Sequence, residues 1–487
     1  MSKRFFMIKR IILLKFFSGI VLMAFAQKNA EKEKIIASIQ GKEANYANIA
    51  HQIWGYAEPG YLEVKSSALL QEELKNAGFD VKAGVAEIPT AFMASYGSGE
   101  PVIGILAEFD ALPGLSNIDQ PEQKALVSGA AGHGCGHNLF GTASVAAAIA
   151  VKDWLKNSGT KGTVRLYGCP AEEGGSGKVY MVRAGLFNDV NAVLHWHPGN
   201  ENSAAVRPSL ANKNAKFRFY GIASHASAAP EKGRSALDAV EAMDNMVNMM
   251  REHIPSDARI HYVITHGGEA PNVVPAFAEV YYYVRNPEMQ TVKEIWERVV
   301  KAAEGAALGT GTRMDYEVIG GVYNMLPNLT LSKVMDNNLQ LVKGFTYTES
   351  EKQFAGKIQA TLTGNSKTIP LTETAKIKPF NVSTEGGGAS SDVGDVSWTV
   401  PAAGFIAATF VPGSSGHSWQ NVAAAGSSIG TKGMMVAAKT LALSAYDLFK
   451  NPELVKKANV ELAEKRGANF KYDAMLGNRK PALDYRN

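Results

Sequence analysis

Residues 101–114 read "PVIGILAEFDALPG", an apolar run almost unbroken from Val102 to Ala107 that closes on two acids, Glu108 and Asp110. The pattern returns twice. "GTVRLYGCPAEEGG" (162–175) is a second buried strand, ending on Glu172 and Glu173, and "NAVLHWHPG" (191–199) a third, ending on His195 and His197. Between the first two, "LFGTASVAAAIAVKDWL" (139–155) is rich in small residues and is predicted to be a helix packed closely on a sheet. Strands alternating with helices, with polar clusters at the strand carboxyl ends, specify an α/β fold whose ligand site lies at those ends.

Upstream, 29–77 has apolar residues at helical spacing and "AFMASYG" (91–97) reads as a strand. Downstream the texture changes between Asn212 and Tyr323. Strand 214–224, helix 235–254, strands 258–268 and 277–287, helix 291–308 and strand 313–323 spell β-α-β-β-α-β, a ferredoxin-like module inserted into the α/β unit. The chain then returns to α/β material: a helix at 331–342, a Thr- and Gly-rich loop at 366–388, an apolar strand within 402–420 ending at His417, and a helix at 428–449. The segment after Asn451 is polar and reads as a surface wrap. The expected division is 1–26 leader, 27–209 with 326–487 catalytic, and 210–325 lid.

The chain has 487 residues and a formal charge of +4, with no basic stripe interleaved with aromatics, which excludes a nucleic-acid footprint. A basic start, the apolar run 11–25 and a small-residue end predict an export signal cleaved near Ala26, hence a periplasmic or secreted protein with no stable membrane anchor. The two cysteines, Cys135 and Cys169, make no disulfide framework.

Metal-ligand residue types gather in four places: "GHGCGHN" (132–138), with His133, Cys135 and His137; Glu172/Glu173; His195/His197; and His417. Imidazole, thiolate and carboxylate are donors that zinc and manganese share. Two adjacent buried carboxylates raise each other's pKa. A cation resolves this, leaving one acid as ligand and the other as general base.

"GHGCGHNLFG", "CPAEEGG", "WHPG", "GIASHASAAPEKGRSALDAV", "APNVVPAFAEVYYYVR", "ASSDVGDVSW" and "HSWQ" together resemble the aminoacylase/carboxypeptidase-type metallopeptidases. The nearest likeness is to the aminobenzoyl-glutamate hydrolase B-subunit type of amidohydrolase. The resemblance implies a zinc-exopeptidase-like catalytic domain with a central mixed sheet, two divalent ions (Zn2+ or Mn2+) per protomer, and a lid that dimerises. It implies Cys135, His137, Glu173, His197 and His417 as ligands and Glu172 as general base. It further implies Asp110 as the orienting acid, His225 as an oxyanion stabiliser reached from the partner protomer, and Asn272 and Arg285 as substrate contacts. Many relatives have a histidine where Glu108 stands. His195 and His133 are expected either to support the ligands from behind or to replace one of them, and His195 would share a strand face with His197. The implied substrates are N-acyl amino acids or short dipeptides, and the implied assembly a homodimer or a pairing with a related chain. A cysteine-nucleophile hydrolase at Cys135, or a non-catalytic binding partner with a vestigial site, are the competing readings.

Overall fold

The computed structural model describes residues 30–364, 369–383 and 388–486. The expected leader and part of the expected loop at 366–388 lie outside them. The strands are β1 (Asp80–Ala83), β2 (Phe92–Ser98), β3 (Val102–Glu108), β4 (Gly162–Cys169), β5 (Ala192–Leu194), β6 (His197–Gly199), β7 (Ala211–Tyr220), β8 (Arg259–His266), β9 (Phe277–Asn286), β10 (Arg313–Val322), β11 (Ala402–Ala403) and β12 (Ile406–Ala408). A mixed six-stranded sheet has the order β1-β2-β4-β3-β5-β11. Its β4-β3-β5-β11 part is parallel, and Glu108 stands opposite Cys169 at the end of the β3/β4 register.

The apolar run of β3 is continuous because both faces are covered. Ile103, Ile105 and Ala107 pack with the helices His137–Ser158 and Ser428–Lys450, while Val102 and Leu106 pack with Met181, Phe187 and Val396 on the other side. Alanines 146, 147 and 148 are fully buried, so the small residues of the first helix do allow a close approach. No helix among the described residues is long and apolar enough to cross a membrane.

The second unit is an antiparallel sheet ordered β10-β7-β9-β8, covered on one face by the helices Ala236–Met250 and Met289–Thr310. Strict alternation in β9 buries Ala278, Val280, Tyr282 and Val284 against those helices. The first helix starts at Ser235, whose hydroxyl accepts from the Asp238 N–H, and presents Val240, Met243 and Val247 to the same core.

Three expectations need correction. The strand expected within 402–420 is two short pieces in different sheets, β11 and β12, and neither reaches His417. "NAVLHWHPG" is not one strand: β5 stops at Leu194, and β6 starts at His197 in a separate ribbon with β12. His195 and His197 therefore do not share a strand face. Nor is the chain after Asn451 a surface wrap throughout. Pro452–Arg466 is a helix burying Val455, Ala458 and Leu462, and Ala474, Met475 and Leu476 beyond it are also buried. The spacing 455, 458, 462 is helical, but charged residues dilute it.

Candidate metal centre

Three carboxyl ends of the parallel strands deliver their polar residues to one place. His137 opens the helix that follows the "GHGCGH" loop, and Gly136 before it has φ +76°. A Cβ on Gly136 would lie 2.9 Å from Pro198 Cβ and 3.0 Å from the Phe410 ring, so only glycine lets this loop approach β6. Ala171, Ser176 and His417, which frame the acidic turn and the late histidine, also sit at positive φ. Backbone strain of this kind concentrates at functional sites.

The donor atoms form three groups, each with its members within 4.8 Å of one another: Cys135/His137/His197, Cys135/Glu173/His417 and Glu108/His137/Glu172. Cys135 belongs to two of them. Its Sγ lies 3.4 Å from His197 Nε2, and Glu173 Oε1 lies 3.2 Å from His417 Nε2. The outer contacts orient these donors. His137 Nδ1 faces Asp110 Oδ1 at 2.9 Å, and His197 Nδ1 faces the Pro198 carbonyl at 2.7 Å, which leaves both Nε2 atoms turned to the centre. Asp110 Oδ2 accepts the Glu173 N–H at 2.9 Å, so one carboxylate fixes two donors.

The electrostatics favour a cation. Burial pushes the Cys135 thiol well above its usual range and, with Glu108 and Glu173 nearby, does the same to Glu172. Burial opposes a charge on His137, but Cys135 and Asp110 outweigh it and raise its pKa well above the imidazole range. Glu108 Oε2 and His137 Nε2 face each other at 3.2 Å, as Glu173 Oε1 and His417 Nε2 do, yet Glu108 Oε2, His137 Nε2 and Glu173 Oε1 are buried without a well-aligned hydrogen bond. Poorly aligned buried imidazoles and carboxylates around a thiol that burial keeps protonated are what a divalent cation satisfies, by replacing the protons. The residues fit such an ion, and the same burial makes Cys135 a poor nucleophile without one.

The centre forms the floor of a cavity of about 660 Å³, and Asn212, Asn214, Tyr283 and Arg285 of the lid sheet line it from above. Arg285 Nε is buried and unpartnered there. His225 and Asn272 do not line this cavity within one chain. His225 is exposed on the lid, its Nδ1 accepting from the Ser227 and Ala228 N–H groups. The structure leaves His133 and His195 outside all three donor groups among the described residues. His133 Nε2 lies 3.0 Å from the Ile53 carbonyl and ties the loop to the helix Glu43–Tyr56. His195 is half-buried beneath Gly404, where a Cβ would strike its ring. Cys135 and Cys169 are both free.

Several residues escape the sequence reading. Lys178 Nζ bridges Glu108 and Asp392 at 2.6 and 2.7 Å in full burial under the site. Glu63, which burial pushes up to about 8, accepts the Ala171 N–H at 2.8 Å just before the acidic pair. Asp392 lies within the "ASSDVGDVSW" motif, so a signal existed; Lys178 and Glu63 lie in ordinary helical surroundings.

A family described as "Peptidase dimerisation domain" matches residues 211–310, the lid. The chain is 44% identical over 447 residues to the B-subunit of p-aminobenzoyl-glutamate hydrolase from Escherichia coli, covering 87% of this chain and 93% of that protein. It is 31% identical over 386 residues to Xaa-Arg dipeptidase of Mus musculus, covering 77% and 78%. Among solved structures, a dinuclear metal-binding peptidase of the M20 family from Bacillus subtilis superposes with a TM-score of 0.57 at 16% identity, covering 84% of this chain and 99% of that one.

Proposed function

This chain belongs to the M20 family of amide-hydrolysing peptidases, and on that premise we propose that it is a two-metal amidohydrolase acting on amides beside a free carboxylate. Cys135, shared by two donor groups with Glu172 next to them, is the observation that carries the reading. The ligands would be Cys135, His137, Glu173, His197 and His417, holding Zn2+ or Mn2+. Bound there, divalent ions supply Lewis acidity and lower the pKa of water. Glu172 takes a proton from the attacking water and delivers it to the leaving amine, a role suited to a carboxyl whose pKa is raised by burial. Asp110 keeps His137 and Glu173 oriented. Arg285 faces the cavity with an unpartnered nitrogen and suits a substrate carboxylate.

His225 and Asn272 would serve the site of a second copy, because the lid holds them away from the cavity of their own chain. The relatives' names support N-acyl amino acids, aminobenzoyl-glutamate among them, or short dipeptides. The leader-like start supports export, which sequencing the amino terminus of the mature protein checks. The decisive experiment combines metal analysis of the purified protein with a panel of such amides. Glu172→Gln is expected to keep its metal and lose roughly a hundredfold or more in kcat. Near-full activity with metal intact would overturn the mechanism.

A further inference from the structure

Residues 467–486 carry no motif, yet they run from the lid sheet to the acidic turn. Tyr472 donates to Asp395 Oδ1 at 2.7 Å, and the Arg479 guanidinium donates to the carbonyls of Val318 and Ile319 on β10. At the other end the Tyr485 hydroxyl donates to the Glu173 carbonyl at 3.2 Å, and Arg486 Nη2 donates to the same carbonyl. Gly60 leaves the room for this: a Cβ there would lie 2.2 Å from the Tyr485 hydroxyl. The Tyr485 ring stands edge-on to Tyr61, whose hydroxyl donates to the Gly175 carbonyl at 2.7 Å.

The backbone around Glu173 is therefore held from both sides. Its N–H goes to Asp110, and its carbonyl takes two donors, one of them charged. We propose that Tyr485 and Arg486 are positioning residues for the Glu172–Glu173 turn: acting through the Glu173 carbonyl, they aim one carboxylate at His417 and Cys135 and keep the other at the cavity. A segment anchored on β10 thereby links the lid to the acidic turn. The proposal rests on the reading of Glu173 as ligand and Glu172 as base.

The test uses the full chain loaded with Zn2+, comparing wild type, Arg486→Ala, Arg486→Lys and Tyr485→Phe. It measures Zn2+ release to a chromogenic chelator, kcat and KM on aminobenzoyl-glutamate, and thermal midpoint. Arg486→Ala is expected to release Zn2+ about tenfold faster and to lose about tenfold in kcat. KM should stay within about twofold. Arg486→Lys should recover part of both losses, and Tyr485→Phe should show a smaller loss of the same kind. Both Arg486→Ala and Tyr485→Phe staying within about twofold of wild type in release and kcat would overturn the proposal. So would losses that track the thermal midpoint without rescue by lysine. A wild type that holds no Zn2+ and hydrolyses nothing would instead overturn the reading of the site itself.

Discussion

Asp110 is the residue on which the centre turns, because its two oxygens hold the His137 ring and the Glu173 backbone at once. Asp110→Asn replaces one acceptor with an amide donor, so either the imidazole loses its orientation or the Glu173 N–H loses its partner. The expected outcome is a metal affinity lower by about ten- to a hundredfold, measured by chelator competition, with little change in fold. Residue types at this scale were legible: thiol, imidazole and carboxylate at strand ends announce a cation. The choice of His197 over His195 rests on the resemblance alone: both are half-buried, and the break between β5 and β6 turns one ring to Cys135 and the other under Gly404.

Loops at the strand ends decide how closely the elements can meet. The "GHGCGH" loop reaches β6 because Gly136 has no Cβ and tolerates φ +76°. Gly136→Ala adds the left-handed penalty, about 1–2 kcal/mol, to contacts with Pro198 and Phe410. A urea titration should show a loss of about 2 kcal/mol or more, together with weaker metal retention, since His137 starts the helix beside it. Long elements with a clean period were readable, as in the lid strands and the helix Ala236–Met250. Short ones were not: β11 and β12 are two and three residues long, too short for alternation to register.

Across the whole molecule, the catalytic and lid sheets meet where Asp395 accepts the Tyr323 N–H at the end of β10 and the Tyr472 hydroxyl from the segment beyond Gly467. Burial pushes Asp395 up to about 7. An unfolded aspartate titrates near 3.9, roughly, so between those values the folded chain binds the extra proton. This contribution to stability is present in full below about pH 4 and fades as pH rises towards 7. Asp395→Asn should flatten that part of the dependence, read as the difference between variant and wild-type unfolding free energies across a pH series.

The sequence by itself determined the alternation of strands and helices, the β-α-β-β-α-β module and the chemical kinds gathered at the strand ends. Each of these is written in short-range periodicity and in residue chemistry. Only the tertiary structure decided that β5 and β6 part between His195 and His197, that Lys178 bridges Glu108 and Asp392, and that Arg486 reaches the Glu173 carbonyl. Those contacts join residues distant in the chain through packing of whole elements, and no local pattern encodes where two such elements touch.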